Sequence, residues 1–234
     1  MSVLVMRLAA PLQSWGAPCS YSIRETEYQP TRSGIIGMIA AAMGYPRQAN
    51  LDNLRKLKIG VRVDRQGALI TDFQTIQDPK RFARPMSSEV TKREYLSDAV
   101  FVAGIECKDE QFMENIVAAL KAPIFPLYLG RRSCPPTLPL MIGLEKNKTL
   151  IETLRTFPLQ AVPSKNIHYI FIYIDSDSEK DSRFVRDDPI SFDQRNRMYI
   201  WRYMQQIRVA VDEFKKFGLT VNNETDHDAF NALI

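Results

Sequence analysis

The chain has 234 residues, of which 45% are hydrophobic and 25% are charged, so it is large and apolar enough to build a globular core. No apolar run approaches the roughly 18–20 residues that a membrane-spanning helix needs, which argues against an integral membrane protein. The net charge is +4, but segments 175–188 and 212–234 each carry −3, which leaves +10 on the rest. A basic body with acidic appendages suits a polyanionic partner, although scattered solubilising charge gives the same count.

The hydrophobic pattern predicts both strands and helices along the chain. Strands are expected at 2–8, on both sides of a turn at 65–67, at 98–107, at 168–176 and at 198–211, and helices at 30–46 and 109–123. The first helix is the clearest, since Thr31 or Ser33 can cap its start and Gly44 with Pro46 ends it. The N-terminal apolar stretch lacks a basic leader and is interrupted by Arg7, so a first strand is expected instead of a signal peptide.

This order of elements predicts an α+β fold. Residues 1–150 fit a ferredoxin-like (RRM-like) core that carries an inserted β-hairpin at about 78–97, where the core pattern fails. A smaller β-rich C-terminal part, residues 151–211, is expected to complete the fold. Residues 212–234 are an acidic tail whose role the sequence leaves open.

Sequence motifs of the common enzyme classes are absent. The chain has no Walker loop, dinucleotide glycine fingerprint, HExxH or nucleophile elbow, and no cofactor is expected. Its two histidines, His168 and His227, stand apart, which favours structural or surface roles. A metal-independent ribonuclease with a histidine or lysine as acid or base stays the alternative. The three cysteines are widely spaced without a CxxC pair, which favours a reducing, cytoplasmic compartment and argues against zinc.

The stretch DSDSEKDS begins like a calcium-binding loop, with Asp175 and Asp177 at the right spacing. However, Lys180 stands where such a loop has glycine, and Arg186 stands where it has glutamate. A solvated acidic loop is therefore expected, and no metal site is predicted.

The start of the first predicted helix is a candidate phosphate site. Thr31, Arg32 and Ser33 lie where free backbone N–H groups point out of the helix. Capping and tight packing alone would explain Thr31 and Ser33 but would leave Arg32 without a role. Arg32 is therefore expected to contact phosphate.

The inserted segment combines basic and aromatic residues. Residues 80–93 hold five bases and one acid, Glu89. Phe82 lies within this stretch and Tyr95 lies just after it. The bases are Lys80, Arg81, Arg84, Lys92 and Arg93. This pattern is typical of single-stranded nucleic acid binding, but an ordinary exposed hairpin is nearly as compatible with it.

A second aromatic run lies near the C-terminus. Tyr199, Trp201 and Tyr203 alternate along a predicted strand and therefore face one side of it. Packing into the core is favoured there over a platform for stacking bases.

The stretch PLYLGRRSCPPTLPL, residues 126–140, presents two adjacent arginines on a proline-rich loop. Arg131 and Arg132 can each grip phosphate with a planar fork of N–H donors, and Ser133 adds a hydroxyl. A loop stiffened by proline loses less entropy on binding. The loop is therefore predicted to be a preformed clamp on a nucleic-acid backbone.

The chain resembles the CasD family of subunits from the type I-E CRISPR surveillance complex, Cascade. The resemblance lies in MRLAAPLQSWG, PTRSGIIGMIAAAMG, TKREYLSDAVFVAG and PLYLGRRSCPPTLPL, with a weaker match in RDDPISFDQRNRMYIWR. It implies a repeat-associated RNA-binding protein with a ferredoxin-like core and a thumb-like β-hairpin. Such a subunit holds the 5′ handle of the guide RNA and caps one end of the assembly. It contacts the large subunit and the first backbone subunit, and it meets target DNA only through the complex.

The residues and the resemblance together give a candidate RNA-binding set drawn from four places. It consists of Gln13, Ser14, Trp15 and Arg24; Thr31, Arg32 and Ser33; Lys80, Arg81, Lys92, Arg93 and Tyr95; and Arg131, Arg132 and Ser133. Two features depart from the wider superfamily. A glycine-rich RNA-binding loop near the C-terminus is not visible, and the tail after residue 212 matches no motif.

The predicted function is a non-enzymatic, guide-RNA-binding subunit of an antiviral ribonucleoprotein. The first alternative is a metal-independent endoribonuclease that processes precursor guide RNA, as the related type I-C subunit does. The second is an assembly scaffold whose arginines bind protein carboxylates instead of phosphate.

Overall fold

The computed structural model describes residues 2–16, 23–77, 88–163 and 166–217. The strands are β1 (Ser2–Ala9), β2 (Leu12–Gln13), β3 (Trp15–Gly16), β4 (Ile23–Arg24), β5 (Thr26–Glu27), β6 (Lys58–Arg65), β7 (Ala68–Gln77), β8 (Ser88–Ser97), β9 (Val100–Cys107), β10 (Met141–Lys146), β11 (Tyr169–Ser176), β12 (Ser182–Ser191) and β13 (Met198–Ala210). The helices are α1 (Arg32–Ala42), α2 (Asp52–Arg55), α3 (Glu110–Lys121), α4 (Leu150–Thr156) and α5 (Val211–Lys215).

A seven-stranded sheet organises the chain, with the order β10-β1-β9-β6-β11-β13-β12 and antiparallel neighbours throughout. Side chains of β1, which lies between β10 and β9, enter a different core on each face. Leu4, Met6 and Leu8 pack with α1 and α3, whereas Val3 and Val5 pack with α4 and α5. The structure therefore confirms that the chain combines helices with mostly antiparallel sheets, as the α+β prediction requires. In the described part of the chain, no helix is long and apolar enough to cross a membrane.

Local signals in the sequence place several elements correctly. The side chain of Thr31 caps α1 by accepting a hydrogen bond from the Gly34 backbone N–H. Gly67, at a φ of +73°, makes the predicted turn between β6 and β7. The α4 helix begins with a capping box in which Thr149 and Glu152 satisfy each other's backbone N–H groups.

The hairpin lies in a different place from the one predicted. It is formed by β7 and β8, which pair from Ala68 opposite Ser97 to Gln77 opposite Ser88, so it begins ten residues before the expected start at 78. The segment that became β8 lies inside the predicted hairpin, but β7 was predicted as a separate strand, because the pattern of one strand does not show which strand it pairs with. Residues 78–87 lie outside the described part of the chain. In a second sheet, β8 also pairs with β2 and β4.

The acidic segment 175–188 is only partly solvated, contrary to the prediction. Asp177 is 95% exposed, but Asp175, Asp187 and Asp188 lie against α1 and form ion pairs with arginines. A bulge after Arg186 turns both Asp187 and Asp188 toward the same side of β12. These three carboxylates therefore belong to the interior and do not form an acidic surface.

Candidate nucleic-acid interface

The loop that carries the two adjacent arginines is fixed against β2 and β3. Gly130 has a φ of +86°, and a Cβ at this position would lie 1.5 Å from the carbonyl oxygen of Ser14. The Ser14 N–H donates to the Leu129 carbonyl at 3.2 Å, and the Leu129 N–H donates to the Cys134 carbonyl at 2.7 Å. Only glycine fits this close approach of two backbones. The loop therefore presents its arginines from a rigid base.

Arg131 connects the loop to the neighbouring strands. Its Nη2 donates to the carbonyl oxygen of Arg24 at 2.7 Å, and its guanidinium carbon lies 4.7 Å from the centre of the Tyr95 ring. Its Nη1 is buried but has no hydrogen-bond partner. A charged N–H donor left unpaired costs free energy unless a ligand or water accepts from it.

Arg93 provides a second unpaired donor close by. Arg93 pairs in register with Arg24 across the parallel strands β8 and β4, and it lies two residues from Tyr95 on the same face of β8. Its Nε is also buried without a hydrogen-bond partner. Arg93 and Arg131, which both lie near Tyr95, thus each have one guanidinium N–H group without a hydrogen-bond partner.

The remaining basic candidates surround this pair. Arg24, Lys92 and Arg132 are exposed, and the ammonium group of Lys92 lies 5.4 Å from the centre of the Phe73 ring. Within the described residues, no side-chain hydrogen bond or ion pair engages Arg132. We call the surface formed by Arg24, Arg93, Arg131 and Arg132 the arginine surface, and Lys92 adds positive charge on the other face of β8.

Three residues expected to touch RNA lie beneath this surface instead. The Gln13 side chain is fully buried and donates to the Ala99 carbonyl at 2.7 Å. The Trp15 indole is equally buried and donates to the Gln13 side chain at 3.2 Å, while Ser14 is 3% exposed. Their expected side-chain contact with RNA is wrong in this conformation, because each is covered by protein. They support the loop and α1, since a Cβ on Gly34 would come within 2.9 Å of the Trp15 ring.

Two further candidates, Thr31 and Tyr95, are buried as well. Thr31 is used in capping α1, and its hydroxyl also lies 3.3 Å from that of Ser33, which is half-buried. Tyr95 is covered by Arg131 and presents its ring to that guanidinium group. These side chains therefore position neighbouring groups and are not free to stack on a base.

Arg32 is the clearest correction among the candidates. Its side chain is 6% exposed, and Nε donates to Asp188 at 2.9 Å while Nη1 donates to Asp175. Its Nη2 donates to the carbonyl oxygens of Arg55 at 2.6 Å and Leu57 at 3.0 Å. All the guanidinium nitrogens are engaged, so Arg32 is a buried ion-pair residue and not a phosphate ligand.

The N-terminus of α1 is occupied by a carboxylate from the protein itself. The backbone N–H of Arg32 donates to Asp187 at 2.8 Å, in the place where a phosphate was expected. Asp187 is held there by Arg202, whose Nε lies 2.5 Å from its other oxygen. Burial raises the pKa of the neighbouring Asp175, and the Arg32 and Arg202 guanidinium groups act in the opposite direction. The two aspartates in RDDP, Asp187 and Asp188, were the sequence signal for this network, but the sequence gives no indication of their partners.

The remaining candidates give no catalytic cluster. Lys80 and Arg81 lie outside the described residues, as do Arg84, Phe82 and His227. Ser133 is exposed, and its hydroxyl lies 3.9 Å from the buried sulfur of Cys134. Burial raises the pKa of that thiol. Among the described residues, no group of three or more His, Cys, Asp or Glu side chains can hold a metal ion.

Comparison with known proteins indicates the same family as the sequence motifs do. The family model described as CRISPR-associated protein (Cas_Cas5) matches residues 3–205. The chain belongs to the Cas5 family. Among curated relatives, the CRISPR system Cascade subunit CasD of Escherichia coli (strain K12) is 33% identical over 159 residues, which are 61% of this chain and 70% of the relative. The resemblance to CasD subunits is thereby confirmed.

Solved structures support the Cas5 assignment over nearly the whole chain. A chain of a structure described as a CRISPR RNA-guided surveillance complex superimposes with a TM-score of 0.74 and 29% identity, covering 98% of both chains. A structure described as a crystal structure of a Cas protein gives a TM-score of 0.67 and 32% identity over 90% of this chain and 96% of that one. The similarity to the chain from the surveillance complex therefore extends beyond residue 205, where the family-model match ends.

Proposed function

We propose that this Cas5 protein binds the 5′ handle of a guide RNA and caps one end of a CRISPR surveillance complex. The observation that carries the proposal is the pair of buried, unpartnered guanidinium N–H groups on Arg93 and Arg131. Phosphate oxygens of a folded RNA strand are the acceptors that such donors match best. The exposed Arg24 and Arg132 extend the same positive surface, and Ser133 adds a hydroxyl at its edge.

We infer a ferredoxin-like core for the part of the fold that carries this surface. The elements β1, α1, β6, β9, α3 and β10 follow one another along the chain, and their strands lie in the order β10-β1-β9-β6. This is the order expected when two strand–helix–strand units interleave in one antiparallel sheet. The β7–β8 hairpin, inserted between β6 and β9, takes the position of the thumb.

The proposed partners follow from what the relatives are described as. The curated relative is a Cascade subunit, and the structural relative belongs to an RNA-guided surveillance complex. For this chain we propose guide RNA, a large subunit and a backbone subunit as direct partners in a cytoplasmic complex. Target DNA would be reached only through the guide, so that base pairing and not this protein selects the sequence.

We propose that the protein performs this role without catalysis. His168 is exposed at the start of β11, and none of the described histidine, aspartate or glutamate side chains lies within hydrogen-bond distance of it. An RNA-cleaving site needs an acid and a base positioned on the two sides of one phosphate.

The test uses RNA recovered with the complex from cells that express a CRISPR array. Sequencing is expected to return guides whose 5′ ends fall at one fixed position in the repeat. Random cellular RNA would contradict guide binding. Separately, the purified protein is expected to leave precursor RNA intact with or without divalent cations, and site-specific cutting lost in His168→Ala would overturn the non-enzymatic assignment.

A further inference from the structure

The hairpin of β12 and β13 carries three aromatic rings on a face that no described helix covers. The α4 and α5 helices pack on the same side of the sheet, where they cover Ile207 and Val209 of β13. Tyr203 and Trp201 continue the same alternation along β13 beyond these helices. Phe184 is 56% exposed and Trp201 is 53% exposed, so the expected core role was wrong for Trp201, whereas Tyr199 and Tyr203 are half-buried.

The rings are already ordered against one another. The centre of the Phe184 ring lies 4.8 Å from that of Trp201 with an angle of 9° between the planes, and 5.2 Å from that of Tyr203. Phe184 therefore covers one face of the indole, and the exposure of Trp201 leaves the other face to solvent. A ring held in this way loses little freedom when a flat ligand stacks on it.

The charge around these rings is divided: exposed acids, Asp177, Glu179 and Asp181, lie in the turn before β12, and arginines lie beside Trp201 and in the turn after β12. Arg186 lies opposite Trp201 in the strand register, and Arg195 and Arg197 are exposed on the turn that joins the two strands. The hairpin's Asp187 and Asp188 do not offset them, because both are buried in ion pairs on the other side of β12.

The size of the aromatic surface favours a nucleotide over a protein. The neighbours of the three rings on the same face are Ser176, Ser182 and Gln205 on one side and Tyr199 on the other, so the apolar area is small and edged by polar groups. A stable protein interface needs about 20–30 residues on each side around an apolar centre. A small cluster of stacked rings with arginines beside it is instead sufficient for one or two unpaired bases and their phosphates.

We propose that Phe184, Trp201 and Tyr203 form a second nucleic-acid site, an aromatic platform on which unpaired bases of a single strand stack. Arg186, Arg195 and Arg197 contact the phosphates of that strand. The platform lies on β12 and β13 of the seven-stranded sheet, whereas the arginine surface is formed by β4 and β8 of the second sheet and by the loop that carries Arg131 and Arg132. The platform therefore acts independently of handle binding and selects single strands without regard to sequence.

The test takes advantage of the chain's two tryptophans. Trp15 is fully buried and Trp201 is exposed, so quenching of tryptophan emission by acrylamide reports mainly on Trp201. An oligouridylate of about eight nucleotides, without handle sequence, is expected to quench this emission and to protect it from acrylamide. A duplex RNA of the same length is expected to do neither, since its bases are already stacked.

Variants of the full chain separate the platform from general charge effects. With a labelled oligouridylate, Trp201→Ala is expected to lower affinity about tenfold. Phe171→Ala, which removes an exposed aromatic ring from the opposite face of the sheet, is expected to leave affinity unchanged. Lys108→Ala with Lys121→Ala, which removes two exposed charges next to α3 on the opposite face of the sheet, is also expected to leave it unchanged.

Several results would overturn the platform. One is an unchanged affinity in a folded Trp201→Ala protein. Another is protection of Trp201 by purified partner subunits in the absence of any nucleic acid, which would make the surface a protein contact. A third is Trp201 shielded in the free protein but accessible in a chain ending at residue 217, which would assign the surface to the tail.

Discussion

The guanidinium group of Arg131 lies over the ring of Tyr95, at 4.7 Å from its centre, and joins the arginine loop to the β7–β8 hairpin. The same side chain donates to the Arg24 carbonyl, so one residue connects the loop with both β4 and β8. Arg132, the next residue, makes no such contact among the described side chains and is exposed. Two adjacent arginines therefore have different structural roles.

Stability measurements should separate these two arginines. Arg131→Ala is expected to lower the free energy of unfolding by about 1–2 kcal/mol, because it removes a hydrogen bond and a cation–π contact. Arg132→Ala is expected to change it by less than about 0.5 kcal/mol. Equal effects of the two substitutions in urea unfolding would mean that the contacts of Arg131 contribute nothing.

Gly130→Ala should displace the arginine loop. Its Cβ would meet the Ser14 carbonyl oxygen at 1.5 Å, a contact that only backbone movement can relieve, and its φ is unfavourable for alanine. We expect a loss of at least about 2 kcal/mol. Gly16→Ala is the control, because nothing lies within 4 Å of its Cβ position, and it should change stability by less than about 1 kcal/mol.

Cys134 reports on the same displacement. Its thiol is buried behind the loop and has a raised pKa because of burial, so alkylation should be slow at neutral pH. Gly130→Ala should accelerate the alkylation of the peptide containing Cys134, as measured by mass spectrometry. The same rate in both proteins would show that the loop has not moved.

Arg32 should matter for folding and not for RNA. Arg32→Ala leaves Asp175 and Asp188 short of a partner inside the protein, and it should destabilise by about 3–5 kcal/mol. Lys58→Ala breaks the exposed pair with Asp177 and should cost less than about 1 kcal/mol. Under conditions where the Arg32→Ala protein is folded, its handle affinity should equal that of the wild type, and a selective loss of affinity would restore Arg32 as a ligand.

Glu27 gives a pH dependence with a defined sign. Burial raises the pKa of its carboxyl group, and the nearby Asp187 and Glu25 raise it further. Between the ordinary and the raised pKa the folded state binds more protons, so stability falls as the pH increases through that window. Glu27→Gln should therefore stabilise the protein at about pH 7 and have little effect at about pH 4. If Glu27→Gln stabilised the protein only at about pH 4, the predicted direction of the pH dependence would be wrong.

Local chemistry in the sequence predicted most of the first half of the fold. The cap at Thr31, the turn at Gly67 and the apolar strand β1 are each determined by residues close in sequence, and each lies where expected. The start of the hairpin was misplaced because β7, which pairs with β8, was predicted as a separate strand. Its boundaries depend on pairing that the pattern of one strand does not contain.

In the candidate site too, the errors of the sequence analysis come from contacts between residues far apart in the chain. A basic residue beside a helix start predicts phosphate binding, but Asp187, 155 residues later in the chain, provides the anion instead. The side chains of Gln13 and Trp15 were correctly located near the site and wrongly assigned to its surface, because burial by the arginine loop is a tertiary effect. Arg131 and Arg132 could be proposed from sequence because their loop is local and rigid.

The most direct measurement of the central claim is the affinity of 5′-handle RNA for a double variant, Arg131→Ala with Arg132→Ala. Its control is Lys146→Ala with Arg155→Ala, which removes the same charge from exposed positions; Lys146 lies opposite Ser2, at the other end of β1 from the loop. The first variant should lose roughly 2–5 kcal/mol of binding free energy, with a salt slope reduced by about 1.4. The control should lose almost nothing. Equal affinities for both double variants, with both proteins folded, would contradict handle binding at the arginine surface.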